Sequence, residues 1–432
     1  MVFPAQPHVQ SLLASTEDAP PRRLMRRYLL VCPIPHEVRV DGSIWIDRLW
    51  HRDLVEHLRY LPQLVIACPA AATGPGSDGE RVKLDVPPEN SLRIHILPYG
   101  NTTNDCLRTL PRLIRELWRA VGNAEVVHSG VAGWPIPLGW IANPIARLRR
   151  RKLVIVVESS FWRVPEGTAA PWTRRLRAAI SERFARISVR MADLALFTHT
   201  RYRDELHGAP GTAAYARETA HVTPAVWVKG NDVIGTADAQ ALWDRRLSDS
   251  AAPLRFLFAG RFEDVKGIGV LLDALKLLEA RGAHLRVDVV GAGARRPAVL
   301  EVAQSLSRVE MRVLDAVPYG AAFFGLLSGY HALIVPSLSD EQPRIVFDGF
   351  SQALPIIAAR TAGLVDLVVH EETGVLVERG DADALARALA RLAEEPAALR
   401  RMGMAACAAA ARHTHEGMHD HRRDLLIEAF GA

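Results

Sequence analysis

The 432-residue chain contains no run of eighteen apolar residues, so its sequence predicts no membrane-spanning helix. Residues 1–27 have neither an apolar h-region nor a cleavage site, so a standard export signal is not expected and the predicted location is cytoplasmic. Cysteine is scarce. Cys32, Cys68, Cys106 and Cys407 are scattered without metal or redox spacing and are expected to be reduced packing residues. The positive excess is only +5 and the basic clusters lack interleaved aromatics, which argues against nucleic acid as a partner. What remains is the balance of a globular protein with a sizeable core, 49% hydrophobic against 23% charged, long enough for two or three domains.

The cations that are present cluster. Arg147, Arg149, Arg150, Arg151 and Lys152 form a knot. In Trp172–Met191, residues Leu176, Ile180, Phe184, Ile187 and Met191 recur at helical spacing, while Arg174, Arg177, Arg183 and Arg190 fall largely off that stripe. Such a helix either lies on an anionic membrane or turns its apolar stripe to the core and its basic side to solvent.

Strand and helix patterns alternate almost throughout. A tail over 1–27 is expected to be flexible, and a first α/β series spans 28–229. It begins with a strand at 28–32, a loop carrying Asp41, Gly42 and Ser43, and a helix over 44–60. Residues 208–219 and the polar stretch 230–252 interrupt the pattern and mark the best domain boundary, with 230–252 as linker. A second series fills 253–414, with strands at 254–259, 285–290, 311–314 and 332–336 separated by helices. A last helix, 415–432, follows. Strands apolar on both faces belong in parallel sheets covered by helices, so the expected class is α/β, with two Rossmann-like domains facing a central cleft.

The chemistry gathers in the second series. Gly260 ends a strand, Arg261 and Lys266 bring two cations into the loop, and a helix follows whose free N–H groups suit a diphosphate. As ordinary surface cations after a strand, the two would have no such role. Gly291 and Gly293 follow the next strand. Residues 332–359 form a strand, acidic loop, helix and strand, with Asp340 at the carboxyl end of a strand, where ligands of parallel sheets bind, and Asp348 beyond it with seven residues between them.

In these motifs the chain resembles the retaining GT-B glycosyltransferases that make bacterial cell-surface polysaccharides and glycolipids, the glycosyl transferases of group 1. The matching residues are Gly260-Arg261 to Lys266-Gly267, Gly291-Ala292-Gly293, Val335-Pro336-Ser337, the segment from Asp340 to Pro355, Glu372-Thr373-Gly374 and Gly380-Asp381. The first half matches more loosely, through Asp41-Gly42-Ser43, Val126-Val127-His128 and Ala192-Asp193 ahead of Arg203-Asp204-Glu205-Leu206.

The resemblance implies a nucleotide-sugar donor, UDP- or GDP-linked, in the C-terminal half, an acceptor in the N-terminal half, and a last helix crossing back to the first domain. Arg261 and Lys266 would hold the diphosphate, Asp340 the sugar hydroxyls and Asp348 the ribose. Both acids are glutamates in the family. Glu341 is a rival for the first, but counting back from Pro355 favours Asp340. Arg344 is an extra cation that suits an acidic donor sugar or a salt bridge to Glu341. Glu158 stands where the family has a histidine, and His128, one strand earlier, is a further candidate to line the cleft.

No bound cofactor or divalent cation is expected, since basic side chains and a helix N-terminus would neutralise the diphosphate. His413, His415, His419 and His421 suggest a metal cluster, but no carboxylate pair completes one in the sequence. The expected reaction is transfer of a hexosyl-type sugar, with retention, to a glycan or lipid-linked acceptor, with peripheral contact at the inner membrane face. The alternatives are a non-catalytic nucleotide- or glycan-binding relative and a nucleotide-sugar epimerase or hydrolase of the same fold.

Overall fold

Short runs of branched apolar residues become parallel strands, and the longer amphipathic stretches become the helices that cover them. The computed structural model describes residues 22–431 apart from 35, 70–80, 99, 101, 134, 165–169, 209–218 and 250–251. The first half supplies β1 (Tyr28–Val31), β2 (His36–Val38), β3 (Ile44–Asp47), β4 (Gln63–Pro69), β5 (Arg81–Lys83), β6 (Ser91–Leu97), β7 (Val126–Gly130), β8 (Lys152–Val157), β9 (Leu194–Phe197) and β10 (Ala220–Val222). Seven of them form a parallel sheet in the order β10-β9-β8-β7-β1-β4-β6, while β2, β3 and β5 make a small antiparallel sheet beside it.

The second half supplies β11 (Arg255–Ala259), β12 (Arg286–Val290), β13 (Glu310–Leu314), β14 (Ala332–Val335), β15 (Ile356–Ala359) and β16 (Gly374–Val377), all parallel, in the order β13-β12-β11-β14-β15-β16. The strand order reverses beside β1 in one sheet and beside β11 in the other, and at such switch points parallel sheets open a crevice at their carboxyl ends. Every residue of β14, β15 and β16 is buried, as strands covered on both faces require.

The two-sheet α/β architecture is the expected one, with four local departures. Residues 44–47 are β3, not the first turn of a helix: they pair with β2 and β5, and the helix Arg48–Tyr60 starts only where Asp47 caps Leu49 N–H at 2.9 Å. Residues 230–252 are not an irregular linker. They carry the helix Thr236–Arg246, whose Trp243 is wholly buried in the second core and donates its indole N–H to Ala353 O at 3.1 Å. Within the expected tail, Leu24 is buried and its N–H bonds Tyr60 O at 2.9 Å. The rest of that tail, residues 1–21, and most of the pause at 208–219 lie outside the described residues.

The fourth departure is the largest. Helix Trp172–Met191 turns Ser181, Ala185, Ser188 and Val189 inward and leaves Trp172, Leu176, Ile180, Phe184 and Ile187 exposed. Small residues let it seat closely against the helix Gly139–Leu148 and β8, so of the two readings the periodicity left open the core-facing one fails, and the stripe faces outward.

The terminal helix His415–Phe430 buries Leu425, Leu426 and Phe430 in the first domain's core with Leu54, Leu58 and Tyr28. It packs on the helix Arg48–Tyr60 and so ties the end of the chain to its beginning.

Candidate active site

Loops at the carboxyl ends of β11, β12 and β14 meet backbone to backbone. Gly260 N–H bonds Val290 O at 3.0 Å, and Phe262, fully buried, bonds Ala292 O through its N–H at 2.8 Å. Gly291 has φ +144°, and a Cβ there would lie 2.0 Å from Gly260 O; Gly293 lies against the Phe262 backbone. Gly267, at φ +73°, sits so close to Pro336 that a Cβ would lie 1.8 Å from its carbonyl. These contacts require glycine and press the cation loop against the loop that carries the acids.

Within that cradle the two cations differ. Arg261 is exposed and pairs with Glu263 at 2.9 Å. Lys266, on the turn Asp264–Lys266, is more enclosed: burial lowers its pKa, and the nearby Glu341 carboxylate opposes that shift. The helix Ile268–Ala280 follows at once with no side-chain cap, so its first N–H groups face the same loop. The arrangement suits an oxyanion.

The acids separate by role. Asp340 accepts Ala362 N–H at 3.1 Å and pairs with Arg379 at 3.5 Å, so its carboxylate is engaged inside the second domain. Glu341 instead reaches across the cleft to accept the Ser159 hydroxyl. Asp348 is buried on the helix Ile345–Ser351 and accepts Tyr319 O–H at 2.8 Å; burial pushes its pKa up to about 7. Arg344 lies over the Trp227 ring, 5.0 Å from its centroid. No Arg344–Glu341 salt bridge occurs among the described residues, because Glu341 turns to Ser159.

Opposite these loops, a cavity of about 400 Å³ is lined by His128, Glu158 and Ser159 from the first domain, by Arg344 from the second and by Arg422 from the terminal helix. His128 bonds Tyr28 Oη through Nδ1 at 2.9 Å, and burial drops its pKa to about 3, so it stands neutral. Glu158 pairs with Arg422 at 3.6 Å. Gly42 is not brought here. It forms the β2–β3 turn, with its N–H on Arg39 O at 2.9 Å, because the chain makes a hairpin excursion where a direct loop was expected.

Sequence reasoning passed over Asp53, His57 and Arg422, which line or border the same cavity, and gave Glu341 second place. Helical spacing of Asp53 and His57 was the only local signal, and it does not say what faces them.

Residues 253–395 match the family described as Glycosyl transferases group 1. The D-inositol 3-phosphate glycosyltransferase of Rhodococcus opacus is 35% identical over 183 residues, 40% of each chain, and that of Salinispora arenicola is 26% identical over 391 residues, 80% of each. With the first of these relatives, then, the chain spans about two fifths of their length. Among solved structures, Anabaena HepE in complex with UDP superposes with TM-score 0.61 at 15% identity, covering 94% of this chain and 100% of that one. Sucrose-phosphate synthase of Thermosynechococcus elongatus superposes with TM-score 0.63 at 18% identity, covering 94% and 99%. Motifs, cradle geometry and these matches agree: residues 253–395 belong to the glycosyl transferases of group 1, and the chain as a whole has the GT-B fold.

Proposed function

We propose that the protein transfers a sugar from a nucleotide-sugar to a glycan or lipid-linked acceptor with retention at the anomeric carbon. The observation that carries this reading is the cradle itself: Lys266 and an uncapped helix N-terminus face a crevice into which Glu341 and Arg344 project. UDP is the first nucleotide to test, since structures of HepE hold UDP and UDP-glucose. GDP is the second.

In the reaction, the bond from the anomeric carbon to the diphosphate breaks while a bond to the acceptor oxygen forms on the same face, and the acceptor proton passes to the departing phosphate. Lys266, Arg261 and the helix N-terminus stabilise the charge that grows on the leaving group, so the diphosphate needs no metal ion. Asp340 and Glu341 are the two candidates for the sugar hydroxyls, with the geometry supporting Glu341 as the group facing the cleft. The ribose role of Asp348 requires the nucleotide to share or displace the Tyr319 hydroxyl. Arg344, beside the donor position, suits an acidic sugar.

Calorimetry with UDP on the Lys266→Ala and Arg261→Ala variants tests the nucleotide assignment. Lys266→Ala should lose about 1.5–3 kcal/mol of affinity, tenfold or more, and Arg261→Ala less, because Glu263 already holds that guanidinium. Unchanged affinity of Lys266→Ala removes the diphosphate site. In the same series, Glu341→Ala and Asp340→Ala should spare UDP affinity and depress turnover, the larger loss naming the sugar contact. Binding without turnover would leave the non-catalytic alternative, and donor breakdown without acceptor the hydrolase.

A further inference from the structure

We infer that Asp53, His415 and His419 form a binding site for one zinc-class divalent ion, on the acceptor side of the cleft and apart from the diphosphate cradle. His415 and His419 stand one turn apart on the terminal helix, and Asp53 meets them from the helix Arg48–Tyr60. The three ligand atoms lie within 4.8 Å of one another, and Asp53 Oδ1 is 3.2 Å from His419 Nε2. Ligands of a tetrahedral zinc ion, at bonds of about 2.0–2.1 Å, stand a little over 3 Å apart. The spacing fits.

The His415 tautomer points the same way. His415 Nδ1–H donates to Val226 O at 2.8 Å, which leaves the lone pair on Nε2. That Nε2 is buried and has no hydrogen-bond partner, although His415 is wholly enclosed. A buried acceptor with no donor in reach is an unexplained group until a cation occupies the space before it. Its carbonyl-bound Nδ1–H is the kind of outer support that orients a ligating imidazole. His419 Nε2–H donates to Asp53 Oδ1 at 3.2 Å and Nδ1 meets Tyr60 Oη at 3.1 Å; an ion would take the place of that Nε2 proton, with Nδ1–H then donating to the Tyr60 hydroxyl. His57 Nδ1 bonds the Asp53 backbone carbonyl at 3.0 Å and lies 3.1 Å from the other Asp53 carboxylate oxygen.

The nearby cation Arg422 would oppose a metal ion, but it pairs outward with Glu158. Two imidazoles and one carboxylate select zinc or cobalt over magnesium or calcium, and Asp53 lines a cavity from which a water could complete the four-coordinate set. The carboxylate missing from the sequence cluster therefore comes from the other end of the chain. An ion here would clamp the terminal helix to the acceptor domain.

The full-length protein, stripped with chelator and dialysed, is titrated with Co²⁺ and then Zn²⁺. Stoichiometric Co²⁺ binding with the strong visible absorption of a four-coordinate site, displaced by Zn²⁺, is expected, together with a Zn²⁺-dependent rise in melting temperature. His415→Ala and Asp53→Asn should each weaken Zn²⁺ by more than the roughly 10–100-fold that loss of an outer partner costs. His413→Ala, outside the cluster, should leave binding intact. Should His415→Ala fail to fold, Asp53→Asn, which preserves shape, carries the comparison. No saturable binding by the wild type, or binding retained in the cluster variants, overturns the site and leaves a hydrogen-bonded Asp–His network.

Discussion

Asp348 concentrates at one residue the conflict between burial and charge. Its carboxyl is held up to about 7 by desolvation, against the Tyr319 hydroxyl it accepts and the cations Arg344 and Arg52. In the unfolded chain an aspartate titrates near about 3.9. Between about pH 4 and pH 7 the folded protein therefore keeps a proton that the unfolded chain has lost, so stability falls as pH rises through that window and levels off above it. Asp348→Asn should remove this slope. In urea unfolding, the variant should match the wild type near pH 4 and exceed it at pH 8, by at most about 4 kcal/mol for a three-unit shift. Parallel pH profiles for the two proteins would contradict the burial argument. The same residue is assigned to the ribose, so greater stability should come with weaker nucleotide binding.

Among the described helices, Trp172–Met191 exposes the most large apolar side chains. Its exposed face alternates Trp172, Leu176, Ile180 and Phe184 with arginines, and Leu176 keeps 51% of its surface exposed. Phe184 stacks on Trp140 at 4.5 Å, so the apolar surface runs on toward the helix Gly139–Leu148. The arginine knot contributes less, since Arg147 is paired with Asp193 at 2.9 Å, Arg149 lies over Trp118 and Arg151 donates to Gly122 O. An apolar stripe flanked by cations fits the interface of an anionic bilayer, where a lipid-linked acceptor would reside. Leu176→Ser with Ile180→Ser should change stability by no more than about 0.5 kcal/mol and reduce co-sedimentation with anionic vesicles. High salt should weaken the wild type by roughly 1 kcal/mol for each basic residue at the surface. Equal binding to anionic and neutral vesicles at low salt would rule out the charge component.

At the scale of the whole molecule, polar links among the described residues join the two domains across the cleft. Asp366 accepts Thr200 N–H at 2.7 Å and its hydroxyl at 2.8 Å, Gln342 accepts Ala225 N–H at 2.8 Å, and Glu341 accepts the Ser159 hydroxyl. Such links hold a closed arrangement lightly, as a cleft that must admit donor and acceptor requires. The Asp366 link is exposed, so Asp366→Ala should cost about 1 kcal/mol or less of stability. It should nonetheless open the cleft, seen as a larger radius of gyration in small-angle scattering without nucleotide. An unchanged radius would assign closure to the terminal helix and the remaining links.

The C-terminal domain was legible along the chain because its signals are local. Apolar strands such as Ala332–Val335, amphipathic helices such as Ala382–Glu394 and glycines at strand ends each express a preference that depends on near neighbours in sequence. The same locality hid the rest. Periodicity in Trp172–Met191 marks a stripe but cannot say that small residues will pack closer and turn the stripe outward. Trp243 in a polar stretch, Glu341 beside the preferred Asp340, and Asp53 meeting His415 and His419 owe their positions to contacts between residues far apart in the chain. Those contacts form only when sheets and helices pack, because burial and hydrogen-bond satisfaction are properties of the assembled neighbourhood.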